Sequence, residues 1–176
     1  MIQTKTIADT LTGVRFLLGL YLIWLGFRGG PEAVTLAALS LLAAWISDAL
    51  DGPLARRDPH GIHTWIGDHD LEADLMAALG VWVYLTLAGF VSFWLAIAYV
   101  AIGAAALWHF GSTHLAWGLQ ALPYGIMIWT AWQVVPSYGM LLVVWIGLVV
   151  IATWPRFPRQ TVPEFLNGMR RLWRRH

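Results

Sequence analysis

Asp48, Asp51, Asp70 and Asp74 stand where one apolar stretch ends and the next begins, in a chain with few charges. The first two are three residues apart and the last two four apart, so helices would present each pair on one face. Two such helices facing each other make a cage of hard oxygen donors, the set that Mg²⁺ or Mn²⁺ takes. Carboxylates are costly at the edge of a bilayer. Without a cation, four of them repel one another and some take up protons. With one or two divalent ions the cage is neutralised. It can then accept a diphosphate, polarise its oxygens and stabilise a leaving phosphate.

The residues that follow the first pair suit the same ligand. Gly52 lets a ligand approach the backbone, Ala55 is small on the expected ligand side, and Arg56 can clamp phosphate through two donors. The competing reading is of solvated acids decorating two helix ends, with Asp58 and Asp68 as surface charges. His60, His63 and His69 lie between the pairs, but their spacing matches no zinc pattern, and imidazole favours a transition metal. His69, flanked by Asp68 and Asp70, could instead touch substrate or support a ligand from behind.

The elements that must position these groups are apolar helices. Of the 176 residues 59% are hydrophobic and only 12% charged, about half the roughly 25% of a soluble domain. There is no cysteine, so disulfide and thiolate chemistry are excluded. A cleaved signal peptide is not expected, because no cleavage pattern and polar mature chain follow the first apolar run. Six apolar segments can be drawn: 11–27, 33–46, 71–90, 93–110, 115–135 and 138–154. Several approach the ~20 residues needed to span a bilayer. The second is short but can continue as helix towards Ala55. Helices rather than open sheets satisfy the backbone in lipid, and the alternation of a β-barrel is absent. The expected fold class is therefore an all-α polytopic membrane protein. It is a single domain, 1–176, built as a six-helix transmembrane bundle with short interfacial helices at the termini.

An even number of spans puts both termini on one side. That side would hold Lys5, Arg15, Arg56, Arg57, Arg156, Arg159, Arg170, Arg171, Arg174 and Arg175, against Arg28 alone on the other. The positive-inside rule then places both termini and the aspartate-rich loop in the cytoplasm. The tail, 163–176, mixes Phe165, Leu166, Met169, Leu172 and Trp173 with four arginines. It reads as an amphipathic cytoplasmic helix lying on anionic lipid, or simply as a topology anchor. A bacterial inner membrane is the expected location.

Asp48, Asp51, Gly52, Ala55 and Arg56, followed by Asp70 and Asp74, resemble the motif of the CDP-alcohol phosphatidyltransferases. That motif reads Asp, two residues, Asp-Gly, two residues, Ala-Arg, eight or nine residues, Gly, three residues, Asp, three residues, Asp. The likeness runs over nearly the whole chain. One departure is the motif's glycine, which falls on Ile66; Gly67 is one position later. The Asn, Thr and Arg often found before the first helix correspond to Asp9, Thr12 and Arg15. Arg15 could meet lipid phosphate or merely set topology.

The resemblance implies a donor such as CDP-diacylglycerol or a related CDP-lipid, and a small polar alcohol as acceptor. It implies two divalent ions, Mg²⁺ or Mn²⁺, on Asp48, Asp51, Asp70 and Asp74, with Gly52, Ala55, Arg56 and Gly67 seating the CDP. Asp74 is implied as general base, and a homodimer in membrane lipid is implied, with no nucleic acid as partner. Glycerol 3-phosphate is one possible acceptor, yet no lysine or arginine lies between Arg57 and Arg156 to receive its phosphate. His109 and His114, which flank the loop between the fourth and fifth segments, or Arg156 and Arg159, could serve instead. Gln120, Gln133, Ser112 and Thr113 are expected to hydrogen-bond within the bundle or at its edge, and Gly80, Gly103 and Gly125 to allow close packing. The rival readings are an inactive scaffold of the same fold and a divalent-cation transporter.

Overall fold

The computed structural model describes residues 2–56 and 69–173, with side chains for 6–50 and 69–171. Seven α-helices and no strand occur among them: α1 (Ile2–Arg28), α2 (Val34–Arg56), α3 (Asp70–Leu87), α4 (Phe93–Phe110), α5 (Thr113–Val134), α6 (Pro136–Ala152) and α7 (Val162–Trp173). A short 3₁₀ turn, Gly30–Ala33, joins α1 to α2, and a π-helical turn, Phe157–Thr161, leads into α7. The segment α4 coincides with its expected span, while α3, α5 and α6 lie within three residues of theirs. The N-terminus differs from expectation. No separate interfacial helix precedes the first span; α1 is continuous from Ile2. No glycine or proline interrupts residues 2–10, and Thr10 and Thr12 return their hydroxyls to the carbonyls of Thr6 and Ala8.

By length and composition, three stretches can cross a membrane: Thr6–Arg28, Gly30–Leu50 and Phe93–Phe110. A fourth is possible if α6 is counted together with the segment Phe157–Arg171, which is bent from it by 85°. The six expected spans are therefore seen as six helices, of which three are long and apolar enough alone. The polar start of α3 (Asp70, Glu72, Asp74) and the Gln120, Pro123 and Gln133 of α5 set those two helices apart. The outer surface is apolar. In α4 only Ala96 and Gly103 are buried, while Trp94, Ile102 and Trp108 face outward. A helix apolar all round belongs in lipid or a deep core, and this one is at the periphery.

α1 lies between α2 and α3; α5 packs on α2, α3 and α6, and α4 closes against α3 and α5. The core, including Leu22, Leu41, Val81, Trp82, Leu85 and Met127, occupies the interior of this arrangement. The contact of α1 with α3 is backbone against backbone. A Cβ on Gly80 would overlap the Gly19 carbonyl, and one on Gly19 would lie 2.6 Å from the Met76 carbonyl oxygen. Of the three glycines expected to permit close packing, only Gly80 sits at such a contact. Gly103 is at ordinary distance from Leu119, and Gly125 faces open space.

Pro123 lies inside α5 and cannot donate to the carbonyl of Leu119 one turn earlier. The Tyr99 hydroxyl of α4 donates to that carbonyl instead. A proline in one helix is thus matched by a tyrosine in the next, and the backbone stays satisfied away from water. At the other end of the pair, Gly111 ends α4 in the left-handed conformation (φ 54°) and Ser112 caps α5, so two residues turn the chain back. α7 folds onto the start of α5: Gly168 packs against the His114 ring, and Phe165 comes up to Gly118.

Two outcomes follow. Gly80→Ala forces α1 and α3 apart and is expected to cost about 1–3 kcal/mol, read as a lower thermal midpoint in detergent. Tyr99→Phe is expected to cost about 1–2 kcal/mol by orphaning the Leu119 carbonyl. That cost should shrink in a Pro123→Ala background, where residue 123 supplies its own N–H, and a double-mutant cycle of melting measurements checks it.

Candidate active site

The end of α2 and the start of α3 bring two parts of the expected motif together. Asp48, near the end of α2, and Asp70 and Asp74, in the first two turns of α3, offer carboxylate oxygens that all lie within 4.8 Å of one another. α1 contributes the group between them. Nη1 of Arg15 is 2.5 Å from Oδ1 of Asp74, 2.9 Å from Oδ1 of Asp70 and 3.2 Å from Oδ1 of Asp48. The arginine side chain is 1% exposed, whereas those of Asp48, Asp70 and Asp74 are 53%, 47% and 24% exposed. The guanidinium thus forms the floor and the carboxylates open outward. Arg15 is one turn before Gly19 on α1, so the close approach at Gly19 and Gly80 carries it under α3.

Charge bookkeeping favours a further cation. Among the described residues, three carboxyl groups face one guanidinium, so the acids outnumber the base. Like charges 4 Å apart near a protein surface repel by roughly 4 kcal/mol at an effective dielectric constant of about 20. A divalent ion removes that excess, and the donors are all hard carboxylate oxygens, the ligands that Mg²⁺ and Mn²⁺ prefer. The residues present fit such an ion.

Beside the acids lies a cavity of about 130 Å³ lined by Arg15, Ala44, Trp45, Asp48, Asp74, Ala77, Gln120 and Tyr124. Trp45 and Tyr124 meet edge to face at 5.4 Å and form one wall. The Tyr124 hydroxyl donates to the Asp74 backbone carbonyl at 3.4 Å, which ties α5 to the turn carrying the acids. Ala44 and Ala77 keep the cavity open by being small.

The expected site residues divide as follows. Asp48, Asp70 and Asp74 come together. Asp51, Gly52, Ala55 and Arg56 continue α2, but their side chains lie outside the described residues, as do Gly67, His60 and His63 entirely. His69 precedes α3 and lines a separate large cavity with Asp9 and Glu72, rather than joining the carboxylate group. His114 packs beneath α7, His109 stacks edge-on with Phe110, and neither lines the acidic cavity; nor do Arg156 and Arg159. Gln133 is exposed, Ser112 serves as a helix cap, and Gln120 lines the cavity.

Arg15 was the residue whose role sequence alone misplaced, since spacing gave no hint of its carboxylate partners. The walls Trp45 and Tyr124 were also missed. Gln120 and Tyr124 are four residues apart on α5, so their shared face could have been read from the sequence.

The family model described as CDP-alcohol phosphatidyltransferase matches residues 5–157. The chain belongs to the CDP-alcohol phosphatidyltransferase family. The match takes in α1 to α6 and stops before α7. No curated protein and no solved structure matches the chain. As a member of this family it is a transferase of phospholipid biosynthesis, acting on a CDP-alcohol and an alcohol acceptor in a membrane.

Arg15→Gln leaves the three acids without their shared cation. Because the acids are partly exposed, the expected loss is about 1–3 kcal/mol, short of that for a fully buried pair. The thermal midpoint in chelator should fall, and saturating Mg²⁺ should restore most of it; tryptophan-fluorescence melting checks both.

Proposed function

We propose that this transferase moves the phosphatidyl group of CDP-diacylglycerol, or of a related CDP-lipid, onto the hydroxyl of a small polar alcohol and releases CMP. Glycerol 3-phosphate is the first acceptor to test. The observation that carries the reading is the gathering of Asp48, Asp70 and Asp74 around Arg15, beside a cavity, in a chain of this family.

In this reading Asp48, Asp51, Asp70 and Asp74 would hold one or two Mg²⁺ or Mn²⁺ ions, which would supply electrostatic stabilisation of the diphosphate and of CMP as leaving group. Gly52, Ala55, Arg56 and Gly67 seat the CDP. The acceptor oxygen attacks the phosphorus that carries the diacylglycerol. The bond from that phosphorus to the bridging oxygen breaks, and its electron pair leaves on CMP. Asp74, which lines the cavity, takes the hydroxyl proton. Arg15 holds Asp74 by a charge-assisted hydrogen bond and so fixes the direction from which the proton is received. Tyr124 steadies the same turn through its backbone carbonyl.

Six spans, with both termini and the acids at the cytoplasmic face of a bacterial inner membrane, suit this chemistry. The lipid donor reaches the acids laterally with its tails in the bilayer, while acceptor and CMP exchange with water. The whole chain, 1–176, then acts as one domain and works as a homodimer. Its tail, 163–176, rests on anionic lipid through Arg170 and Arg171. Asp48, Asp70 and Asp74 gather where α2 ends and α3 begins rather than along the helices, which speaks against a cation-transport path.

Asp70→Asn and Asp74→Asn are each expected to lower CMP release by about a hundredfold or more while helical content is unchanged. The assay uses CDP-diacylglycerol with Mg²⁺ or Mn²⁺ and, separately, glycerol 3-phosphate, inositol phosphate, serine and no acceptor. Full CMP release by both variants would overturn the mechanism.

A further inference from the structure

α3, α4 and α5 line a second, open cavity of about 220 Å³ that shares Gln120 with the first. Leu75, Leu79, Gly103, Leu107, Leu119 and Pro123 are among its walls. Trp82 and Tyr99 also line it, their rings 4.6 Å apart. Both polar atoms of that pair are already engaged: the Trp82 indole N–H donates to the Ala96 carbonyl at 3.2 Å and the Tyr99 hydroxyl to the Leu119 carbonyl. The groove therefore presents apolar surface. It begins at Leu75, next in sequence to Asp74, and extends along α3 to Trp82, a run of about 10 Å at 1.5 Å per residue.

One residue belongs to both cavities. Gln120 lines the acidic cavity and the apolar groove alike, and its Nε2 is buried without a hydrogen-bond partner among the described residues. Buried amide donors ordinarily find a partner, and one left over at the junction of a polar and an apolar space invites a ligand that is polar there and apolar beyond.

We propose that the groove between α3, α4 and α5 takes one acyl chain of the lipid donor, and that Gln120 donates to the ester carbonyl where that chain joins the glycerol. The proposal rests on the phosphatidyl-transfer reading above. Along the molecule, such a donor presents a diphosphate, then an ester, then a hydrocarbon chain. Along the protein, the order is Asp74, then Gln120, then the apolar groove. Gly103 is the specificity-determining position, because the absence of a side chain there leaves the groove open beside Leu119. A Cβ at Gly103 would meet Leu119 at 3.4 Å, an ordinary contact, so the helices tolerate a side chain that fills the groove.

The test compares CDP-dipalmitoylglycerol with CDP-dihexanoylglycerol as donors for the full chain in detergent, reading donor and acceptor KM and kcat from CMP release. Gly103→Leu is expected to lower kcat/KM for the dipalmitoyl donor about tenfold relative to its effect on the dihexanoyl donor. Gly103→Ala should give a smaller change in the same direction and covers the case in which leucine prevents folding. Gln120→Leu is expected to raise the KM of both donors several-fold and leave the acceptor KM unchanged.

Equal effects of the Gly103 variants on the two donors, or none, would overturn the groove assignment while leaving phosphatidyl transfer intact. A Gly103 variant that changes oligomeric state without changing chain-length preference would assign the groove to a second copy of the chain instead. A Gln120→Leu effect on acceptor KM alone would move Gln120 to the acceptor side. Absence of CMP release by the unaltered protein with either donor and every acceptor would remove the transfer reading and this inference together.

Discussion

A single buried guanidinium held against three carboxylates from two other helices is the constraint around which this protein is arranged. Arg15 is almost wholly enclosed, and an isolated charge in that position would be prohibitively unstable in an apolar bundle. It is tolerated because Asp48, Asp70 and Asp74 converge on one of its nitrogens. The acids in turn tolerate one another because the arginine stands among them. Among the described residues the acids outnumber the arginine, and that excess of carboxylate oxygens suits the divalent ion the group could hold. Structure and chemistry therefore draw on one electrostatic arrangement.

Bringing three helices to one nitrogen sets demands on packing elsewhere. α1 must approach α3 more closely than ordinary side chains allow, and Gly19 against Gly80 meets that demand. The end of α2 and the start of α3 must come together, so that Asp48 meets Asp70 and Asp74. α5 closes the far wall with Tyr124 and Gln120. The proline that lies between those two functions in sequence costs α5 a backbone hydrogen bond, and Tyr99 of α4 replaces it. α4, otherwise peripheral, is thereby fastened to the helix that walls the site. In a setting without water to satisfy stray carbonyls, such replacements decide which helices remain neighbours.

Much of the helical layout was legible because apolar runs in a charge-poor chain have few other solutions. α4 was read to the residue, and α3, α5 and α6 nearly so, since Gly, Pro and polar residues punctuate their ends. The N-terminus was misread because hydropathy, which marks where lipid begins, does not mark where a helix begins; α1 continues through its polar first turns. The count of spans is harder still. α3 and α5 carry acids, amides and a proline whose cost depends on whether they face lipid or the bundle, and hydropathy averages over both faces.

For the site, local spacing was enough to pair Asp70 with Asp74 and to align both with Asp48 as a motif, because residues three or four apart share a helix face wherever that helix lies. The family relation was legible for the same reason, being written in spacing along α2 and α3. What sequence could not reveal was the partner from α1. Arg15 is separated from Asp70 and Asp74 by 55 and 59 residues, and its position depends on the depth and rotation at which α1 meets α3. The same holds for the cavity walls Trp45 and Tyr124 and for the groove that shares Gln120. The sequence by itself determined an apolar helical protein of this family with carboxylates at helix ends, because composition and short-range periodicity act within one element. Only the tertiary structure decided which cation those carboxylates surround and which spaces open beside them, because both arise where separate helices meet and backbone contact sets the distance.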